Sequence, residues 1–248
     1  MGLLSTNVGG SKRLLKFVGI KLPKDCLCLD YYQEKYRLGT QLICPNYSFS
    51  SLKYVDASAL GFTKGIKGIK DSKIPVAEFN NSNVGSWARQ YSTYYPIDTQ
   101  QCEQGWSIEF YLNCDSCSGW VHECTKLLSN ASAAVSMHSY TYGLYFGYTT
   151  SSNYWSWDNY QNIGSWTQWN HVAYTYTRSG NKLKVFINGN LYFNVTVYKE
   201  FSSIAIHSCM FDSNNLYYYG GYRITQFAIW NYPKYTQKFT PSTLPILN

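Results

Sequence analysis

Charge is scarce in this chain. Lys, Arg, Asp and Glu together make up 14% of its 248 residues, while Phe, Trp and Tyr reach 18%. Disordered chains show the opposite balance, so the composition excludes an extended, solvated polymer and implies a folded protein with ample apolar surface. Long apolar runs are also missing. No stretch reaches the ~18 consecutive apolar residues that a membrane span needs. The N-terminus lacks an apolar core followed by a small-residue cleavage site, so no signal peptide is expected. Amphipathic helical stretches of useful length are absent too. There is no serine-nucleophile elbow, and His122, His138, His171 and His207 lie far apart in the chain.

What the chain has instead is alternation. In Trp169–Val197 the period is two: Val172, Tyr174 and Tyr176 point one way, and His171, Ala173 and Thr175 the other. Ser179-Gly180-Asn181 makes a turn, and Leu183, Val185 and Ile187 form the next inward face. Asn188-Gly189 supplies the two residues that most easily take positive φ, the signal of a tight hairpin. Leu191, Phe193, Val195 and Val197 then resume the inward alternation. Three consecutive antiparallel strands with one buried face are expected. Further strands are expected near 76–79, 106–113, 134–138, 142–148, 203–207 and 222–230, with strand-like runs at Cys26–Tyr36 and Gln41–Cys44. Short strands at regular spacing predict a two-sheet sandwich.

The same residues carry a family resemblance. Trp169-x-His171-Val172-Ala173, a charged turn, then Leu183-x-Val185-Phe186-Ile187-Asn188-Gly189 resembles the central hairpin of laminin-G-like domains in the concanavalin A-like jelly-roll superfamily. Arg223-Ile224-Thr225 followed by Pro233-Lys234-Tyr235-Thr236-x-x-Phe239-Thr240-Pro241-x-x-x-Pro245 resembles the ending of such domains in tailed-bacteriophage structural proteins. Gly105-Trp106-Ser107-Ile108-Glu109-Phe110-Tyr111-Leu112 is similar to a strand of the same domains. The resemblance covers roughly residues 76–245 in the expected order. It implies an all-β, two-sheet antiparallel jelly-roll sandwich and a non-enzymatic virion role, as tail or capsid decoration or attachment, with glycan adhesion open to it. A carbohydrate-active enzyme and a free-standing lectin are the alternatives on the same fold.

The charge is unevenly placed. Residues 1–75 hold 12 Lys and Arg against 5 Asp and Glu, whereas residues 76–248 hold 9 of each. Together with the start of the resemblance, this predicts a basic N-terminal arm over 1–75 and a sandwich over 76–248. Lys12, Arg13, Lys16, Lys21 and Lys24 are the anchor candidates. An arm of this kind suits docking onto an acidic surface. The lysines are spread out and no nucleic-acid motif accompanies them, so other virion proteins are the expected partners rather than nucleic acid. The expected setting is a multi-copy assembly in the virion, put together in the host cytoplasm. Met1-Gly2-Leu3-Leu4-Ser5-Thr6 also fits a myristoylation pattern, which has meaning only in a eukaryotic host.

Glycosidases of this fold use a strand of spacing E-x-D-x-x-E, which presents two carboxylates on one face. That spacing does not occur, and Glu103, Glu109, Asp115 and Glu123 read as scattered, so no catalytic residue is assigned. His171, on a sheet strand, is expected to be structural. Tyr154, Trp155, Trp157, Asp158 and Tyr160 read as an aromatic loop suited either to stacking on sugar rings or to a lid or subunit contact. Among the eight cysteines, Cys114, Cys117 and Cys124 with His122 leave three readings open: packed reduced thiols, a disulfide, or a Cys₃His zinc site. No cofactor is called for, although Ca²⁺ and Zn²⁺ stay open. Asp158 and Asp212 lie in expected loops but do not by themselves make a calcium site.

Overall fold

The computed structural model describes residues 26–30, 35–38, 41–43, 51–65, 73–79, 92–96, 102–114, 122–129, 132–140, 143–149, 155–161, 167–197, 200–201, 203–207 and 222–246. In chain order the strands are β1 (Cys26–Asp30), β2 (Lys35–Leu38), β3 (Gln41–Ile43), β4 (Ser51–Asp56), β5 (Lys73–Phe79), β6 (Ser92–Pro96), β7 (Gly105–Cys114) and β8 (His122–Ser129). They continue as β9 (Ser132–Tyr140), β10 (Gly143–Thr149), β11 (Trp155–Gln161), β12 (Asn170–Thr177), β13 (Lys182–Ile187), β14 (Asn190–Thr196), β15 (Ser203–His207) and β16 (Tyr222–Trp230). A 3₁₀ turn spans Ala57–Leu60, and among the described residues no helix is long and apolar enough to cross a membrane.

Every pairing among the described residues is antiparallel. One sheet of ten strands runs β14-β13-β12-β7-β16-β1-β2-β3, with β5 also on β16 and β4 on β5. The second, of six strands, runs β11-β10-β9-β8-β15-β6. The chain is thus the two-sheet antiparallel sandwich that its alternation predicts, of the jelly-roll kind that the resemblance implies. The Asn188-Gly189 hairpin is present, with φ of 49° and 78°, and joins β13 to β14. Near its turn a register shift pairs Phe186 with Leu191 but Val185 with Phe193. Leu191 is therefore 44% exposed, not part of the inward face.

Register places Trp106, Ile108 and Phe110 of β7 beside Tyr176, Tyr174 and Val172 of β12, which lie beside Leu183, Val185 and Ile187 of β13. All nine are buried. Trp106 stacks on Tyr176 at 5.5 Å, and Phe110 on Phe227 at 6.0 Å. The opposite face is buried as well, contrary to the one-sided burial expected. Glu109, Tyr111, His171, Ala173, Phe186 and Trp230 lie beneath two covering segments, residues 57–65 and 231–246, which bond or pack against this face. Alternation shows which residues share a face, not whether a distant segment lies over that face.

The expected division at residue 75 does not coincide with a break in the sheet. β1 pairs with β16 through Cys26–Trp230, and β4 pairs with β5 from Ser51–Glu78 to Asp56–Lys73. Ala57, Leu60 and Phe62 are buried against Tyr111 and Trp230. Burying Leu60 and Phe62 contributes on the order of 3–6 kcal/mol. Net charge reports what a segment shows to solvent; it is blind to the apolar residues between the lysines. The anchor candidates Lys12, Arg13, Lys16, Lys21 and Lys24 lie outside the described residues.

Candidate functional site

Two features of the covered face could carry function: a buried carboxylate and an open cleft beside it. The carboxylate is Glu109, central in β7 on the same face as Ser107 and Tyr111. Its Oε1 accepts from Trp230 Nε1 at 2.6 Å and from Lys234 Nζ at 2.5 Å. Its Oε2 accepts from the Tyr235 hydroxyl at 2.6 Å and from His171 Nε2 at 3.0 Å. Burial alone would raise the Glu109 carboxyl, but the His171 hydrogen bond and the Lys234 charge outweigh it and hold the pKa at about 2. At neutral pH the group is a carboxylate and only accepts, so His171 must carry a proton on Nε2. Burial, then the Glu109 charge, pushes the Tyr235 and Tyr111 hydroxyls upward, so both stay protonated donors.

The surroundings fix this group rigidly. Lys234 Nζ also sits 3.7 Å from the centre of the Trp230 ring. The His171 ring lies edge-on to Tyr111 at 5.0 Å and to Phe239 at 5.6 Å, and Tyr235 stacks on Phe239 at 3.8 Å. Asn188 sets the height of His171: its Oδ1 accepts from His171 N at 2.9 Å while its own N–H donates to His171 O at 2.8 Å. With four donors on two oxygens, Glu109 has no lone pair facing a substrate. Its chemistry is to pin the chain after β16 onto the sheet.

The cleft opens where that chain leaves the clamp. It has a volume of about 590 Å³ and is lined by residues 103–104 and 177–179 and by Tyr232, Pro233 and Thr236. Gly105, at φ 129°, brings the turn before β7 against β12; a Cβ there would stand 2.1 Å from Tyr176 O. Arg178 N donates to Gln104 O at 3.0 Å, locking the two turns together. The Arg178 guanidinium donates to Glu200 Oε1 at 2.8 Å and to Glu103 O at 3.4 Å. On the other side, Lys234 N donates to Ser107 Oγ at 2.8 Å and Lys184 Nζ to Thr236 O at 2.6 Å. Tyr232 is 36% exposed, edge-on to Trp230 at 5.9 Å.

The sequence-predicted sites fare differently. Trp155, Trp157, Asp158 and Tyr160 stand on β11, at an edge of the six-stranded sheet, not in a loop. Pairing with β10 outweighs the loop-like composition of that stretch. Their side chains, Tyr154 and Asp212 lie outside the described residues. Cys114 ends β7 in the ten-stranded sheet, whereas His122 and Cys124 begin β8 in the six-stranded one, with a register shift at Cys124; Cys117 lies outside the described residues. Among the described residues no group of three or more His, Cys, Asp or Glu could hold a metal ion. His171 lies on a sheet strand, as expected, and is buried against Glu109. Glu109 was missed as a partner because the groups that meet it are 62 to 126 positions away. The signal that could have found it lay in the family motifs, since His171, Glu109 and the pair Lys234 and Tyr235, drawn from the three of them, meet in this clamp. The cleft had no such signal, because three distant turns compose it.

The sequence matches no protein-family model, and no curated protein matches it. Solved structures do. The binding domain of paraclostridial mosquitocidal protein 1 aligns with a TM-score of 0.49 at 12% identity, over 90% of this chain and 50% of that one. The receptor-binding domain of botulinum neurotoxin type G gives 0.46 at 11% identity, over 90% and 49%. A galectin of Caenorhabditis elegans gives 0.40 at 15% identity, over 62% and 94%. The chain spans about half the length of the two toxin domains. These likenesses are too distant to carry a residue or a ligand across.

Proposed function

We propose that this chain is a non-catalytic carbohydrate-binding sandwich, carried in many copies on a bacteriophage virion as a tail or capsid attachment or decoration protein. The observation that carries the binding half is the cleft at Tyr232, a rigid concavity with a partly exposed aromatic ring beside hydroxyl and carboxamide groups. Such a mixture is what sugar rings meet in binding sites, an apolar face for C–H groups and fixed polar groups for hydroxyls. The non-catalytic half is supported by Glu109, whose oxygens are both committed to donors of the fold itself. The virion half is supported by the resemblance of the strand and tail motifs to those of tailed-bacteriophage structural proteins. Lys12, Arg13, Lys16, Lys21 and Lys24 would dock the chain onto acidic neighbours in the particle.

A glycan array probed with the full chain tests the binding half. Reproducible capture of defined glycans, with no turnover of plant, algal and bacterial polysaccharides, is the expected result. Capture of none, or turnover abolished by a single Asp or Glu substitution, would overturn it. Peptide mapping of purified particles tests the virion half, with the chain expected at fixed stoichiometry.

A further inference from the structure

We propose that the cleft at Tyr232 receives an uncharged saccharide, with the Tyr232 ring as its stacking platform. The inference rests on the carbohydrate-binding reading and narrows it to one site and one ligand class.

Charge decides the class. Among the described residues, the cleft's lining carries two charged side chains, Glu103 and Arg178. The Arg178 guanidinium already donates to Glu200 at 2.8 Å. Its charge is matched before any ligand arrives, so among the described lining residues the Glu103 carboxylate is the charge that a ligand meets. An acidic sugar would meet that carboxylate at close range and would have to displace Glu200 from the guanidinium fork. Like charges at such range disfavour binding, and the displaced Glu200 recovers nothing in return. A neutral sugar meets no such conflict. The remaining polar groups, the Gln104 carboxamide and the Thr177, Ser179 and Thr236 hydroxyls, both donate and accept, which is the pattern sugar hydroxyls need.

Shape and rigidity agree. The volume lies within the range of about 300–1,000 Å³ that small-ligand sites occupy. Tyr232 and Pro233 offer the apolar surface on which the C–H face of a pyranose can rest. The walls are held before binding by Lys234 N on Ser107, Lys184 on Thr236 and Arg178 N on Gln104. A ligand therefore has little protein to order, and weak individual contacts can add up to useful affinity.

The test is a glycan array carrying neutral, sialylated, uronic-acid and sulfated glycans, probed with the full chain and with Tyr232→Ala and Glu103→Lys. The expected result is capture of neutral glycans, weakened about tenfold or more in Tyr232→Ala. Glu103→Lys, on an exposed turn, should fold normally and shift capture toward acidic glycans. If Tyr232→Ala loses its fold by circular dichroism, the charge-reversal variant decides alone. Neutral capture that neither variant alters would overturn the site while leaving the carbohydrate reading intact. Capture confined to acidic glycans by the unmodified chain would overturn the ligand class. Capture of no glycan at all would remove the carbohydrate reading itself.

Discussion

Glu109 takes four hydrogen bonds on one buried carboxylate, and two of its donors, Lys234 and Tyr235, belong to the chain beyond the last strand. Glu109→Gln leaves the ammonium of Lys234 without its counter-charge and turns an amide donor toward groups that are donors themselves. Removing one partner of a buried ion pair costs about 3–5 kcal/mol, and the partial exposure of Lys234 places this case near about 3. Urea denaturation should show that loss as a lower midpoint at an unchanged slope. The same group makes stability depend on acid. Its folded pKa, about 2, lies below the ordinary carboxyl value of 4.5. The stabilisation is therefore fully present above about pH 4.5 and is lost as the pH falls toward 2, an amount of about 3 kcal/mol. His171, Lys234, Tyr235 and Tyr111 face the carboxylate, and of the five groups it is Glu109 that should set this window. Stability measured from pH 5 to 2 should drop steeply in the parent and stay nearly level in Glu109→Gln; equal slopes would refute the assignment. None of this was legible at the level of single residues. Glu109 reads as one scattered acid until three strands and the tail bring its partners in.

At the scale of elements, the hairpin between β13 and β14 was readable because Asn188-Gly189 answers a local demand, positive φ at two successive positions. The bulge that turns Leu191 outward was not, since it depends on pairing with Phe186. The Trp, Asp and Asn content of β11 suggests a loop, but its ladder with β10 makes it a strand. β4 and the turn after it were hidden inside a segment judged by its lysines. Gly189 has a second duty that no turn rule reveals: a Cβ there would stand 1.8 Å from Phe239 O. Gly180 has a similar φ of 76°, but its nearest atom is Lys182 Cγ at 3.8 Å. Gly180→Ala should therefore cost only the left-handed backbone penalty, about 1–2 kcal/mol. Gly189→Ala should cost distinctly more, because the tail must also lift from the hairpin. Thermal midpoints of the two variants, compared side by side, give the check; equal losses would mean that the tail does not rest on Gly189.

For the whole molecule, the two-sheet sandwich was legible because it follows from period-two patterning repeated along the chain. The extent of the ten-stranded sheet was not, because β1 and β4 lie ahead of the boundary that the charge suggests and pair with strands beyond it or across it. Deleting residues 1–75 removes β1 to β4 and the start of β5, and uncovers Tyr111, Ala228 and Trp230. That truncation should bind a hydrophobic dye and aggregate. Deleting residues 1–25 stops short of β1 and keeps every described strand. If Lys12, Arg13, Lys16, Lys21 and Lys24 dock the chain, the shorter truncation should also fail to enter particles. High salt should release the intact protein from them, since the screening length falls to about 3 Å near 1 M.

The covering tail also bears on how the molecule carries load. It leaves the central strand β16, crosses the sheet, and is fastened in sequence by Lys234 and Tyr235 on Glu109, by Phe239 N on Gly189 O, and by Ile246 N on Gln226 Oε1. Tension applied beyond residue 246 would meet these fastenings one at a time, the outermost first. Each release lengthens the tether before the next fastening is strained, so the tail would yield in steps and absorb a sudden pull before β16 itself is drawn from between β7 and β1.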